Sequence, residues 1–120
     1  MLKNKDIQDM NIGADIEEVK RFKKYAKDKE RLERLFSKDE IFYCLSKKNP
    51  AQSLAARFCA KEAVWKALEK ENKKITVADI SVKNNSDGTP EIYVKNKKRK
   101  DVKVSLSHTK EYAMAMAVKL

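Results

Sequence analysis

The 120 residues suffice for one domain, and a chain of this size buries roughly two-thirds of its unfolded surface. Lys and Arg number 28 against 18 acids, a net charge of +10, which favours an acidic partner: nucleic acid, an anionic membrane surface, a phosphorylated small molecule or an acidic protein. Cys44 and Cys59 form no CxxC pair and there is one histidine, which excludes a disulfide framework and a Cys/His zinc site.

No apolar run approaches the roughly 18 residues of a membrane span. The opening MLKNKDIQDM lacks the apolar stretch of a secretory signal. A reduced, cytoplasmic setting fits these features. In NIGADI, Ile12, Ala14 and Ile16 alternate, so residues 9 to 15 read as a strand leading into a helix, with Asp15 and Glu18 as its capping pair. A lysine-rich helical stretch in two pieces then runs from Glu17 to about Leu35; Lys23, Lys24, Lys27 and Lys29 read as solvated surface. Ser37 followed by Glu40 is a capping box opening a short helix that stops before Asn49-Pro50. Pro50 suits the first turn of a long helix reaching about Lys70.

After Asn72 the pattern turns to strands. Ile75–Val77 and Ile80–Val82 are β-prone, and Asn84–Gly88 is a turn between strands of a hairpin completed by Glu91–Val94. Lys95–Lys100 is a basic loop, open to reading as a solvated hairpin tip or as a nucleic-acid patch. Val102, Val104 and Leu106 alternate as a strand. Tyr112–Val118 is apolar on both faces, as a central strand is. Helices then strands, with one strand first, predict an α+β single domain, residues 1–120, with an antiparallel sheet against a long buried helix.

Within RFCAKEAVWKA, Glu62 and Lys66 lie one turn apart among small and apolar residues. Two readings fit that spacing. One is an exposed i,i+4 ion pair worth roughly 0.2–0.5 kcal/mol. The other is a partly buried carboxylate kept for a ligand, because a buried ion needs a partner. Asp15, beside Gly13, is either a cap or a second carboxylate; with Glu62 it could hold a hard cation such as Mg²⁺. His108, the sole histidine, closes a strand among hydroxyls, which suits an anion contact. No Ser/His/Asp arrangement, phosphate-binding glycine loop or GxGxxG occurs.

Four stretches in order resemble one family. Gly13-Ala-Asp15-Ile-Glu-Glu-Val-Lys-Arg21-Phe22 resembles G-x-D-I-x-x-x-x-R-F. Arg57-Phe-Cys-Ala-Lys61-Glu62-Ala-Val-Trp-Lys66-Ala67 resembles R-F-A-A-K-E-A-x-x-K-A. Asp79-Ile-Ser-Val82 with Asp87-Gly-Thr-Pro90, and Val104-Ser-Leu-Ser-His108-Thr-Lys-Glu-Tyr112-Ala113, complete the set. The chain is thus similar to the bacterial holo-[acyl-carrier-protein] synthases, small trimeric 4′-phosphopantetheinyl transferases.

That resemblance implies transfer of 4′-phosphopantetheine from coenzyme A to a serine of apo acyl carrier protein in the service of fatty acid biosynthesis, releasing adenosine 3′,5′-bisphosphate. It implies Asp15 and Glu62 as Mg²⁺ ligands, Lys66 on phosphate, Arg57 and His108 on the coenzyme A phosphates, and Arg21 on the acidic carrier protein. It further implies a homotrimer with sites between subunits. A basic nucleic-acid or ribosome-associated module is the alternative that the charge suggests. One departure stands out: Glu69–Lys74 carries no glycine where the family commonly turns through a glycine-rich segment.

Overall fold

A computed structural model of the chain describes residues 9–120; most of the MLKNKDIQDM stretch lies outside the described residues. Strand β1 (Asn11–Glu18) passes through a 3₁₀ turn, Val19–Arg21, into α1 (Phe22–Tyr25) and α2 (Lys29–Leu35). Helix α3 (Lys38–Leu45) precedes the long α4 (Pro50–Ala67), and a second 3₁₀ turn, Val77–Asp79, leads to β2 (Ile80–Asn84). Strands β3 (Pro90–Val94), β4 (Lys97–Lys98), β5 (Val102–His108) and β6 (Tyr112–Lys119) complete the chain. The strands form two antiparallel sheets, ordered β1-β6-β5 and β2-β3-β4. The α+β expectation holds, with two sheets in place of one.

Helix α4 packs across β1, β6 and β5. Its buried positions run all round the cylinder: Leu54, Phe58 and Val64 on one side, and Ala55, Cys59, Ala63 and Ala67 on another. Such a helix is a core element and not a surface one. The inner face of β6 is equally small, with Ala113, Ala115 and Ala117 all buried. Small residues on both surfaces let the helix lie close to the sheet. The aromatic side of the core stacks Phe22 against Tyr25 and Phe58, and Phe36 against Phe58.

The helix starts are those the sequence specifies. Ser37 and Glu40 form the reciprocal capping box on α3, and Asn49 caps α4 with Pro50 in its first turn. Several expected boundaries move. Asp15 caps nothing: it lies inside β1 opposite Ala115, and the strand continues through Glu17 and Glu18. Helix α4 ends at Ala67 because the chain turns at Leu68, whose carbonyl accepts from the Glu71 and Asn72 amides. Ile75–Val77 forms no strand, since Thr76 and Asp79 cap the 3₁₀ turn there.

Helix α3 is bolted to α4 and β2 by a buried charge pair. Lys61 Nζ donates to Glu40 Oε1 at 2.7 Å and to the Leu35 carbonyl at 2.6 Å. Glu40 also accepts from the Ser37 amide at 2.9 Å and the Val82 amide at 3.0 Å. Every oxygen of this carboxylate is engaged, which is what allows an ion pair to sit in a core. Burial pushes the Lys61 ammonium below its ordinary range, while Glu40 pulls it back up.

β6 is central, as expected, but only one of its faces is covered. Its other side shows Met114 and Met116, beside Ile12 (70% exposed) and Ile16 (65% exposed) of β1. The register pairs Ile16 with Met114 and Ala14 with Met116, so these side chains form one apolar patch. The alternating apolar residues of NIGADI therefore face outward. Gly13, Asp15 and Glu17 face α4.

Candidate active site

Gly13 sets the first dimension of the site. A Cβ added there would stand 2.0 Å from the Ala63 carbonyl oxygen and 2.7 Å from the Ala67 amide nitrogen. Only glycine permits this approach of β1 to α4. The approach places Asp15, two residues on and on the same face, against the helix stretch that carries Glu62 and Lys66.

Lys66 crosses that gap. Its Nζ donates to the Ala14 carbonyl at 2.9 Å and reaches Asp15 Oδ1 at 3.4 Å. No ion pair joins it to Glu62 among the described residues, so the exposed i,i+4 pair is not what forms. Glu62 is half-buried; burial first, and then the Asp15 charge, hold its carboxyl above the usual carboxylate range, with Lys66 and Arg21 pulling the other way. Asp15 Oδ2 is buried and has no hydrogen-bond partner among the described residues. An orphaned buried carboxylate oxygen is costly unless something fills the space beside it. A hard divalent cation fits this donor set, and one or two carboxylates are what Mg²⁺ takes from a protein that also offers it substrate phosphate. Among the described residues no three of His, Cys, Asp and Glu converge as a cage, so the cation would depend on its substrate.

Glu17 is the neighbour that sequence reading missed. It was assigned to a helix, but it belongs to β1, two residues beyond Asp15. Burial, followed by the Asp15 carboxylate, pushes it up to about 7, and Arg21 opposes that rise. Strand alternation from Asp15 was the signal that could have found it. The Arg21 guanidinium donates to Glu17 Oε1 and lies 5.5–5.8 Å from the ring centroids of Phe22, Tyr25 and Phe58. It opens onto a surface recess of about 590 Å³ whose wall includes Lys20, Lys24 and Tyr112.

Arg57 and His108 meet elsewhere. Both line a second cavity of about 410 Å³, together with Tyr43, Ser53, Gly88 and Pro90. Arg57 is nearly buried; it donates to the Val82 carbonyl at 2.6 Å and stacks 4.6 Å from the Tyr43 ring centroid. His108 is exposed at the end of β5. Neither Asp15, Glu62 nor Lys66 lines this cavity. The six predicted residues thus form two groups within one chain: Asp15, Glu62 and Lys66 with Arg21 beside them, and Arg57 with His108.

The glycine-free segment has its own closure. The left-handed residues among those described are Lys95, Asn96 and Gly88, so residues 69–74 need no glycine. Arg99 clamps Glu71 with two bonds of 2.8 and 3.0 Å, and Trp65 Nε1 donates to the Ile75 carbonyl at 3.0 Å. Arg99 also binds Asp101, and Lys98 binds Glu91. Internal acids thus partly neutralise the basic run 95–100, which weakens its reading as a nucleic-acid patch. No helix among the described residues is long and apolar enough to cross a membrane.

Two carboxylates and an ammonium thus meet at a strand–helix junction of an α+β protein, and Arg57 of the same helix lines a separate cavity with His108. The chain belongs to the 4′-phosphopantetheinyl transferase superfamily, whose family model it matches over residues 11–117. It is 47% identical over 109 residues to a holo-[acyl-carrier-protein] synthase of Thermodesulfovibrio yellowstonii, covering 89% of this chain and 95% of that one. A synthase of the same name from Chlamydia caviae is 42% identical, over 95% of this chain and 99% of the relative. Among solved structures, the Helicobacter pylori synthase in complex with coenzyme A superposes with a TM-score of 0.75 at 29% identity, covering 91% of this chain and 99% of the other. The Bacillus anthracis synthase in complex with CoA (3′,5′-ADP) gives 0.73 at 30% identity, covering 91% and 94%.

Proposed function

We infer that this chain works as a holo-[acyl-carrier-protein] synthase, moving 4′-phosphopantetheine from coenzyme A to a serine of apo acyl carrier protein and releasing adenosine 3′,5′-bisphosphate. The observation that carries the site assignment is the junction at Gly13, where the unpartnered Asp15 oxygen, Glu62 and the Lys66 ammonium come together. In the reaction the serine hydroxyl gives up its proton to solvent and its oxygen bonds to the phosphorus that bears the pantetheine arm. The bond from that phosphorus to the bridging oxygen breaks, and the bisphosphate leaves with the electron pair. Such a transfer needs positioning and charge neutralisation more than a protein nucleophile, which accounts for the lack of a triad.

Asp15 and Glu62 are our candidates for holding Mg²⁺, which when bound supplies charge neutralisation at the diphosphate. Lys66 offers its ammonium to the same phosphates. Arg57 and His108 offer cationic and hydrogen-bonding groups to the other end of coenzyme A. The two groups are separate within one chain, and the apolar outer face of β1 and β6 lies uncovered. Both features support a homotrimer in which one subunit's carboxylates face another's cavity. Arg21 and the lysines beside it suit the acidic carrier protein, whose approach a +10 chain accelerates.

The test is to incubate the chain with apo carrier protein, coenzyme A and Mg²⁺ and weigh the carrier. A mass gain of one phosphopantetheine is expected. No adduct under any condition, together with RNA binding that falls steeply with salt, would replace this reading with the nucleic-acid one.

A further inference from the structure

Glu17 touches two things that the transfer reaction keeps separate. Along β1 it stands two residues from Asp15 and so on the same face of the strand. At its tip it holds the Arg21 guanidinium. Arg21 is half-exposed, while the Glu17 side chain is only 13% exposed. The arginine is therefore the solvent-facing member of the pair. The rings of Phe22, Tyr25 and Phe58 can retain its guanidinium when its carboxylate partner changes.

We propose that Glu17 couples docking of the acidic carrier protein at Arg21 to divalent-cation binding at Asp15 and Glu62. Free enzyme spends the Arg21 charge on Glu17, so the carboxylate cluster is partly neutralised from within. An acidic helix entering the recess competes for that guanidinium. As Arg21 turns outward, its positive charge leaves the side of the carboxylates, and the cluster holds a cation more tightly. Linkage makes the effect reciprocal: a bound cation takes over the neutralisation of the cluster and frees Arg21 for the carrier. The cation site is thereby at its strongest when the acceptor has arrived. This inference rests on the assignments of Arg21 and of Asp15 with Glu62 given above.

The experiment titrates Mn²⁺ into the full-length chain with coenzyme A present, read by electron paramagnetic resonance, with and without a carrier protein whose acceptor serine is alanine. The carrier should tighten Mn²⁺ binding about fivefold in the wild type. In Glu17→Gln that tightening should vanish, and the carrier should bind more tightly than to wild type when metal is absent. Glu17→Thr serves as a second neutral variant, with thermal melts reporting that both fold. A fivefold effect that persists in both variants, or no effect in the wild type, overturns the coupling. Mn²⁺ binding unchanged in Asp15→Asn, or carrier binding unchanged in Arg21→Ala, overturns the underlying site assignments instead.

Discussion

Lys66 reaches across to β1, meeting the Asp15 carboxylate at 3.4 Å and the Ala14 carbonyl at 2.9 Å, and leaves Glu62 on its own helix with no ion pair among the described residues. An ammonium that bridges two elements is held in place; one in an i,i+4 pair is free to sway in water. Lys66→Met is expected to lower turnover on the order of a hundredfold, the scale of losing one preorganised charge contact. Asp15→Asn and Glu62→Gln should lose turnover similarly while circular dichroism stays unchanged. Steady-state assays at limiting and saturating Mg²⁺ check this. Full activity of either carboxylate variant at limiting Mg²⁺ would show that the metal lies elsewhere.

Gly13 carries as much of the site as the charged residues do. Alanine there would drive a methyl into the Ala63 carbonyl, a backbone atom that cannot rotate away. β1 must then retreat from α4, taking Asp15 with it. Overpacking of this kind costs roughly 1–3 kcal/mol, and a displacement of about 1 Å costs on the order of a hundredfold in rate. Gly13→Ala should show both losses in a denaturant titration and a turnover assay. Normal activity in a folded Gly13→Ala would show that the close approach does not position the carboxylate.

Most of this arrangement was legible in the sequence where local chemistry decides it. Ser37 with Glu40, Asn49 with Pro50, and Asn84–Gly88 each specify a cap or turn through nearby atoms, and each forms. What was not legible depends on which face meets which element. Ile12 and Ile16 look like core residues by alternation, yet they face outward because glycine on the other face lets the helix in. Lys66 and Glu62 look like a pair by spacing, yet the nearer anion comes from a strand some fifty residues away. The segment after Leu68, glycine-free in sequence, turns at negative φ and is secured by Arg99 and Glu71, a closure that depends on a residue far along the chain.

The Glu17 carboxyl titrates at about 7 in the fold, above its ordinary value of 4.5. Below the ordinary value both folded and unfolded chains hold the proton, and the group leaves stability unchanged. Between 4.5 and about 7 the unfolded chain has released its proton while the folded chain retains it. Folding then binds a proton, and stability falls as pH rises through this window. Above about 7 the loss is complete and constant. Urea midpoints measured across this range in metal-free buffer should decline for the wild type and flatten for Glu17→Gln. An identical decline in the variant would assign the effect to another group.

The Glu40–Lys61 pair is a sharper test of the core. Lys61→Met leaves Glu40 buried against the Val82 amide without its counter-charge, a loss of roughly 3–5 kcal/mol. Adding Glu40→Gln removes the stranded charge and keeps one oxygen to accept from either the Ser37 or the Val82 amide, which donate to different oxygens of the carboxylate. The double variant should therefore recover much of the lost stability, a coupling that a double-mutant cycle reads directly. Additive losses would mean the two side chains do not act as a pair.

The uncovered face of β1 and β6 makes the strongest statement about assembly. Ile12, Ile16, Met114 and Met116 are all exposed, and the strand register sets them side by side on one face. Burying one such side chain is worth roughly 1.5–3 kcal/mol, so several together on each subunit can hold a closed ring of copies. Met114→Glu places a carboxylate at the middle of this face, opposite Ile16, without touching the α4 side of the sheet. Light scattering after gel filtration should show the wild type as a trimer and Met114→Glu as a monomer. The monomer should keep its far-ultraviolet spectrum and lose transferase activity if, as proposed above, the Arg57–His108 cavity of one subunit works with the Asp15 and Glu62 of another. A trimeric Met114→Glu would place the subunit contact on another surface, and an active monomer would mean that one chain contains the whole site.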